Sequence, residues 1–262
     1  MPVGKPAQSM NLDIEQLRAA MPGRRIDYYS TTDSTMYAAA RLAAEGCESG
    51  TTVIAEEQSA GQGRHGHSWQ SEAGCGIYCS IVLRLPLAME LLPVVTLALG
   101  LATADAIARV TDTACDLRWP NDVMLGGRKV AGILVQLVEG ASIAGIGINV
   151  NQRSFPPEIA AEATSLRLHL GRKFERERLL EALLPAVDAF AGMLVEDGKE
   201  TILRLFTHAS SYASGRRVTV NQTEGAIEGV TAGLDASGFL VVRKDDGTSA
   251  LILAGGVRAA GS

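Results

Sequence analysis

A glycine-rich stretch, GQGRHGHSW at residues 61–69, places three glycines in the G-x-G-x-x-G spacing of a dinucleotide-binding turn. Such a turn needs a strand before it, a helix that begins within it, and an acidic residue about 20 residues later that holds a ribose. The preceding run TTVIAEEQ predicts the strand, but the residues after Gly66 lack a helical apolar period. No carboxylate lies between Ala73 and Met89. The sequence therefore disfavours a dinucleotide fold and predicts a loop whose backbone approaches a ligand closely.

Strands and helices follow one another without a regular β-α-β alternation, which predicts a mixed sheet with helices rather than a doubly wound parallel sheet. The predicted strands are RIDYY, TTVIAEE, GIYCSIVLRL, CDLRW, a hairpin VMLGGRKV, AGILVQLVEG and SIAGIGINVN. The predicted helices span residues 12–21 with Asn11 as the cap, 34–46, 93–110 and 175–205. From Gly215 the composition shifts to four or five short strands separated by Gly, Asn and Asp turns, which predicts a small β-barrel.

Composition limits the class of protein. The chain has 262 residues, of which 47% are apolar and 20% charged, and its net charge of -5 argues against nucleic acid as the main ligand. The amino-terminal residues lack the apolar core of a signal peptide, so we expect a cytoplasmic protein with no membrane partner. The four cysteines are too few and too scattered for a disulfide framework, and we expect buried free thiols.

Five motifs occur together, and their order and spacing resemble those of bacterial biotin protein ligases. They are DSTM at 33–36, EEQSAGQGRHGHSW at 56–69, RWPNDVML at 118–125, RKVAGILVQ at 128–136 and GIGINVN at 145–151. The resemblance covers residue 25 to the carboxyl terminus. It implies an α+β fold, with a mixed sheet of the class II aminoacyl-tRNA synthetase and biotin synthetase type followed by a small SH3-like barrel. The implied division is a short helical segment at 1–24, a catalytic domain at 25–214 and the barrel at 215–262.

The resemblance implies a monofunctional ligase that uses biotin and ATP, with Mg²⁺, in two steps. Biotinyl-5'-AMP and pyrophosphate form first, and the biotinyl group then passes to a lysine of a biotin carboxyl carrier domain of acetyl-CoA carboxylase or a related carboxylase. The first step joins two anions, so cations are required. Arg64 and Lys129 are the predicted catalytic residues. Taken alone, each would be interpreted as an ordinary surface charge.

The remaining site residues are assigned by the resemblance. The predicted biotin contacts are Ser34, Thr35, Met36, Gln58, Gln62, Gly63, Arg64 and Lys129, with Ser34, Thr35 and Gln58 pairing with the ureido head. The predicted ATP contacts are Arg64, His65, Trp69, Asn121, Lys129 and Asn149, and Asp122 is the predicted Mg²⁺ ligand. Structural roles compete with these: a helix N-cap for Ser34, a turn after Pro120 for Asn121 and Asp122, a strand end for Asn149, and packing for Trp69 and Trp119.

Two residues depart from the common family pattern. Gln62 replaces an arginine of the loop, and Met36 replaces the asparagine of DSTN. His65 and His67 have no third ligand at metal spacing and are interpreted as loop residues. We expect the loop to be mobile when empty and to close over the adenylate.

Two other functions compete with biotin ligation. A lipoate or octanoyl ligase would use the same fold. A biotin-responsive repressor is disfavoured, because the 24 residues before the first predicted strand are too few for a winged helix. The expected assembly is a monomer or homodimer.

Overall fold

The computed structural model describes residues 11–222 and 225–260, apart from the side chain of His65. The predicted amino-terminal segment therefore lies partly, at residues 1–10, outside the described residues, as do positions 261 and 262 of the predicted barrel. Seven α-helices lie in the described part: α1 Ile14–Ala20, α2 Thr35–Ala44, α3 Leu92–Thr111, α4 Pro157–Ala160, α5 Leu166–Leu170, α6 Arg176–Glu196 and α7 Lys199–Ala209. Short 3-10 turns occur at Arg64–Gly66 and Met89–Leu91.

Seven strands form the first sheet, in the order β1-β2-β3-β7-β6-β5-β4. Their bounds are β1 Ile26–Thr32, β2 Thr52–Gln58, β3 Gly76–Leu83, β4 Asp116–Arg118, β5 Asp122–Leu125, β6 Arg128–Val138 and β7 Ala141–Asn149. The pair β1 and β2 is parallel and every other neighbouring pair is antiparallel. The mixed sheet expected from the sequence is confirmed.

Helices cover both faces of this sheet, and strand β3 illustrates why. All of its residues are buried, so each face must meet an apolar layer. Ile77, Cys79 and Ile81 pack in the larger core cluster with residues of α3 and α6. Val82 points to the opposite face and packs with the alanines of α2. Because side chains alternate along a strand, Tyr78 and Ser80 lie on the α2 face as well.

Five strands form a second, antiparallel sheet in the order β11-β10-β9-β8-β12. They are β8 Ser214–Gln222, β9 Gly225–Leu234, β10 Leu240–Arg243, β11 Ser249–Ile252 and β12 Gly256–Ala259. Strands β11 and β12 stand at the two ends of this order, and no backbone pairing joins them within residues 225–260. The expected antiparallel module is present, but its backbone pairing does not close it into a barrel.

Among the described residues, polar contacts join the carboxyl-terminal module to segments that flank the first sheet. The indole Nε1 of Trp119 donates to the carbonyl of Gly238, in the turn before β10, at 2.9 Å. Arg258 on β12 pairs with Glu162 at 2.7 Å. Trp119 is buried, so its interpretation as a packing residue agrees with its surroundings.

Several local expectations differ from the structure. The hairpin strand RKV and the strand AGILVQLV form one strand, β6, because the register shift between Val123 and Met124 lets the longer strand stay paired. The predicted helix at 175–205 is two helices, since Gly198 adopts φ +81 and ends the first. Helix α1 begins later than expected because Asp13, not Asn11, accepts from the Gln16 N–H.

The segment Met89–Thr111 is long and apolar enough to cross a membrane by length and composition. Most of α3 is nevertheless buried in the core, where it packs against α6 and α7. The four cysteines are free thiols, as expected, but Cys79 alone is fully buried and Cys47, Cys75 and Cys115 are half-buried. Burial raises the pKa of the Cys79 thiol to about 12.

Candidate active site

A pocket lies on the α2 face of the first sheet, between the amino terminus of α2 and the glycine-rich loop. Its floor is formed by β3, β6 and β7. The lining residues are Ser34, Thr35, Met36, Gln58, Gln62, Gly63, Arg64, Trp69, Tyr78, Cys79, Asn121, Lys129, Gly132, Ile133, Leu134, Gly145, Ile146 and Gly147. Motifs far apart in the sequence therefore meet in one place.

Hydrogen-bonding groups are concentrated at the α2 end of the pocket. Ser34 is the N-cap of α2, and its side chain accepts from the Met36 N–H at 3.3 Å. Gln58, the last residue of β2, accepts through Oε1 from the Thr35 N–H at 2.8 Å and from the Thr35 hydroxyl at 3.1 Å. Ser34 and Thr35 are buried, so a ligand here meets polar groups in dry surroundings, which favours an equally polar and well-matched head group.

Glycines on β6 and β7 make the floor of the pocket flat. A Cβ at Gly147 would lie 2.4 Å from the Trp69 ring, and one at Gly132 would lie 2.9 Å from the same ring. A Cβ at Gly145 would lie 2.5 Å from the sulfur of Met36. The two large side chains thus occupy space that only glycine leaves open, and Trp69 lies directly on the sheet.

The glycine-rich loop folds back on itself between β2 and β3. The Gly63 N–H donates to the His67 carbonyl at 2.7 Å, and the Trp69 N–H donates to the Gly61 carbonyl at 2.8 Å. At the tip, Arg64 Nη1 donates to Asn121 Oδ1 at 3.3 Å. Arg64 is therefore held over the Trp-Pro-Asn-Asp turn, with its guanidinium on the pocket wall.

Asn121 is a fixed part of that wall. Its side-chain Nδ2 donates to the Ile133 carbonyl at 2.8 Å, and its own carbonyl accepts from the Ile133 N–H at 2.9 Å. Burial lowers the pKa of the Arg64 guanidinium, and the charge of Asp122 partly offsets this effect. Arginine nevertheless stays protonated in proteins, so Arg64 presents a partly desolvated positive charge to the pocket.

Three charged residues form a compact cluster beside Arg64. Lys129 Nζ lies 2.5 Å from Asp122 Oδ1, and Arg118 binds Asp122 Oδ2 through Nε at 3.1 Å and Nη2 at 2.8 Å. Burial by itself would raise the pKa of Asp122, but Lys129 and Arg118 outweigh it and lower that pKa. Asp122 is therefore ionised at neutral pH.

The backbone of Lys129 is held by the segment before α5. Its N–H donates to the Glu162 carbonyl at 2.7 Å, and its carbonyl accepts from the Thr164 N–H at 2.9 Å. Its ammonium also lies 5.3 Å from the centroid of the Trp69 ring. Such a placement fixes the ammonium on the pocket wall beside the Trp69 ring.

The geometry does not fit the prediction that Asp122 is a Mg²⁺ ligand. Both of its carboxylate oxygens already face cations, and magnesium is usually bound through one or two free carboxylates together with phosphates. Among the described residues, no group of three His, Cys, Asp or Glu side chains is placed to hold a metal. We assign no metal to this chain's own side chains and derive no step through one.

The structure brings together most of the residues that the sequence singled out. Every predicted biotin contact lines the pocket, as do Trp69 and Asn121 among the predicted ATP contacts. Asn149 does not line it: the side chain is buried and Nδ2 donates to the Thr164 carbonyl at 3.1 Å. In the structure, Asn149 therefore has the structural role at the end of strand β7. The side chain of His65 lies outside the described residues.

Sequence reasoning missed several residues that shape the site. Arg118 lies in the motif RWPNDVML without a predicted role, and the contact of its Nε and Nη2 with Asp122 Oδ2 appears only after β4 and β5 pair. Ser80 is a fully buried serine within an apolar strand, and that pattern was the available sign that it has a polar partner. Ser71, just beyond the loop, gave no comparable sign.

Two protein-family patterns match the chain. The pattern of the Biotin/lipoate A/B protein ligase family matches residues 28–152, and that of the Biotin protein ligase C terminal domain matches residues 213–257. The first match ends just beyond β7, and the second lies within the five-stranded module. Together they include the pocket and most of the second sheet.

Individual relatives are similar over most of the chain. "Biotin--[acetyl-CoA-carboxylase] ligase" of Mycobacterium tuberculosis is 32% identical over 242 residues, which are 90% of this chain and 89% of the relative. "Bifunctional ligase/repressor BirA" of Bacillus subtilis is 29% identical over 238 residues, covering 88% and 73% respectively. Among solved structures, the biotin protein ligase from Aquifex aeolicus in complex with biotin and ATP has a TM-score of 0.79 at 32% identity, covering 89% of this chain and 97% of that one.

Proposed function

Because this chain belongs to the biotin protein ligase family, we propose that its pocket binds biotin and ATP side by side and joins them. ATP-dependent ligation of biotin to protein is the activity of the chain. The observation that supports the assignment of residues is that one pocket is lined both by the hydrogen-bonding pair Thr35 and Gln58 and by the cations Arg64 and Lys129.

Biotin has two polar ends that match these two groups of residues. Its ureido head needs both donors and acceptors when it is buried, and Ser34, Thr35 and Gln58 supply them. Its carboxylate needs a cation, and Lys129 or Arg64 supplies one at the other end. The apolar middle of the molecule then lies against the side chains of Met36 and Trp69, which cover the glycines of β7.

The first step forms a bond between a biotin carboxylate oxygen and the α-phosphorus of ATP, and breaks the bond from that phosphorus to the bridging oxygen. Pyrophosphate leaves with the electron pair. Negative charge grows on the phosphoryl oxygens, and preorganised cations lower the barrier to this step. We assign this role to Arg64 and Lys129, with Trp69 and Asn121 beside the nucleotide.

In the second step an unprotonated lysine amine attacks the acyl carbon of biotinyl-5'-AMP. A carbon–nitrogen bond forms, the bond to the phosphate oxygen breaks, and AMP leaves while the amine gives up a proton to solvent. Lys129 remains beside the departing phosphate, where its charge stabilises AMP as the leaving group. The loop that bears Arg64 shields the anhydride from water until the acceptor arrives.

The acceptor that we propose is the lysine of a biotin carboxyl carrier domain of acetyl-CoA carboxylase or a related carboxylase. We further propose a cytoplasmic enzyme, monomeric or dimeric, without a nucleic-acid partner. The catalytic unit would span residues 25–214 and the carboxyl-terminal unit 215–262. The requirement for Mg²⁺ stays a prediction and is assigned to no residue of the chain. The ATP contacts of Asn149 and His65 also stay predictions.

The experiment is to mix the protein with biotin, Mg-ATP and a carrier domain and to follow the carrier by mass spectrometry. One biotinyl group should appear on one lysine, and omission of ATP should abolish it. Parallel reactions with lipoate and octanoate serve as the matched controls and should leave the carrier unmodified. A folded protein that transfers lipoate or octanoate but not biotin would refute the proposal.

A further inference from the structure

A chain of hydrogen bonds runs behind the head-group end of the pocket, from β3 to the stem of the glycine-rich loop. Ser80 Oγ lies 2.8 Å from Thr35 Oγ1, which lies 3.1 Å from Gln58 Oε1. On the other side of the same amide, Gln58 Nε2 donates to Ser71 Oγ at 2.8 Å. Ser71 Oγ in turn donates to the Trp69 carbonyl at 3.3 Å.

One backbone group fixes the direction of this chain. The Thr35 N–H can only donate, and it lies 2.8 Å from the Gln58 amide, so the amide atom facing it must be the oxygen. Nε2 of Gln58 therefore faces Ser71, whose hydroxyl oxygen accepts and whose proton is left for the Trp69 carbonyl. Within the described part of the chain, Ser71 is the one acceptor recorded for Gln58 Nε2. The second proton of Gln58 Nε2 is thus available to an acceptor in the pocket.

Gly61 lets the loop stem come close enough for this arrangement. A Cβ at Gly61 would lie 2.5 Å from the Trp69 carbonyl oxygen and 3.0 Å from both Gln58 Nε2 and Ser71 Oγ. Gly61 is itself buried. The amide of Gln58, the hydroxyl of Ser71 and the backbone of the loop stem are therefore packed against one another, which ties the loop stem to Gln58 on the pocket wall.

We propose that Ser71 is a positioning residue for biotin binding, which acts by holding the Gln58 amide with one Nε2 proton turned to the pocket. The inference rests on the proposed function, because the ligand acceptor that receives this proton is the ureido carbonyl. Ser71 lines no part of the pocket and contacts neither Arg64 nor Lys129 through its hydrogen bonds. Its hydroxyl therefore affects the affinity for biotin and not the chemical step.

The test separates the KM for biotin from kcat in the formation of biotinyl-5'-AMP. In Ser71→Ala the KM for biotin should rise about 5- to 10-fold, the effect of losing one hydrogen bond of about 1 kcal/mol, while kcat stays within about twofold. Ser71→Thr, which keeps the hydroxyl, should have a KM near that of the unmodified protein. Ser59→Ala is the matched control, since Ser59 is exposed and its hydroxyl meets only the Thr32 carbonyl at 3.4 Å.

A double-mutant cycle with Gln58→Ala shows whether Ser71 acts through Gln58. The double variant should bind biotin no more weakly, within about twofold, than Gln58→Ala alone. The proposal is overturned if Ser71→Ala leaves the KM unchanged, if Ser71→Ala and Ser71→Thr raise it equally, or if the two losses multiply. Failure of the unmodified protein to form any adenylate would instead refute the proposed function.

Discussion

Lys129 Nζ lies 2.5 Å from Asp122 Oδ1, on the wall of the pocket where Arg64 also meets Asn121. This pair joins strands β5 and β6 across their Gly-Gly hairpin. Asp122 thereby holds Lys129, the cation to which we assign a role in the first step, and Arg118 binds the same carboxylate. We propose that this carboxylate positions Lys129 for the reaction.

The ion cluster predicts a stability that depends on pH. Asp122→Asn should lower the free energy of unfolding at pH 7 by roughly 3 kcal/mol, because two partly buried cations lose their counter-ion. The pKa of Asp122 is lowered in the folded state, so its contribution is present above the unfolded value of about 4 and is lost as pH falls below it. Urea unfolding should therefore show a difference between the two proteins that shrinks below about pH 4. A difference that stayed constant down to pH 2 would contradict this account.

Removal of the loop cation should release the reactive intermediate. In Arg64→Gly we expect the rate at which biotinyl-5'-AMP dissociates to rise roughly 10-fold or more, because a charge-assisted contact is lost. Free adenylate should then biotinylate bystander proteins such as serum albumin. Arg153→Gly, at an exposed loop position, is the control and should behave as the unmodified protein. An unchanged adenylate off-rate in Arg64→Gly would remove the retention role from the loop.

The flat floor beneath Trp69 gives a steric prediction. Gly147→Ala would place a Cβ 2.4 Å from the indole, so the ring must leave its position on the sheet. Adenylate formation should fall about 10-fold or more, since Trp69 also lies against Lys129. The fluorescence of Trp69, measured in a Trp119→Phe background, should shift to longer wavelength. Gly192→Ala, where a Cβ meets nothing within 4 Å, should change neither activity nor fluorescence.

A buried ion pair fastens the amino-terminal segment to the body of the enzyme. Glu56 binds Arg176 at 2.7 Å and also accepts from the Leu12 and Gly74 N–H groups and the Tyr28 hydroxyl. Glu56→Ala should lower the free energy of unfolding by roughly 3–5 kcal/mol, because a buried cation loses its counter-ion.

A matched exposed pair is available as the control. Glu15→Ala removes the partner of Arg18 at the surface and should cost less than about 1 kcal/mol in the same urea titration. Equal losses in the two variants would mean that the buried network does not stabilise the fold as we infer.

Much of the fold could be predicted from local pattern, because most helices and strands show a distinct spacing of apolar residues and are bounded by capping residues or glycines. Ser34 caps α2, and Gly46, with φ +83, follows the end of that helix, as the sequence indicated. The continuity of β6 could not be predicted, because the register shift in its pairing with β5 depends on contacts between the two strands. The open five-stranded order is likewise a long-range property that composition does not specify.

The site was predictable where function imposes unusual residues and not where ordinary residues support them. Arg64, Lys129 and the Thr35–Gln58 pair belong to motifs, whereas Ser71 and Ser80 are common residue types whose partners come from distant strands. Asp122 was assigned to a metal because a carboxylate alone suits magnesium. That Arg118 and Lys129 both face this carboxylate depends on the pairing of β4, β5 and β6 and could not be predicted from local pattern.

The formation of biotinyl-5'-AMP by the purified protein tests the central claim most directly. With biotin and Mg-ATP present and no carrier domain, mass spectrometry should detect bound biotinyl-5'-AMP together with stoichiometric pyrophosphate, and Lys129→Met should reduce the rate of its formation at least 100-fold. The account predicts no acyl-adenylate with lipoate. Adenylate formation at an undiminished rate in Lys129→Met, or its absence in the folded unmodified protein, would contradict it.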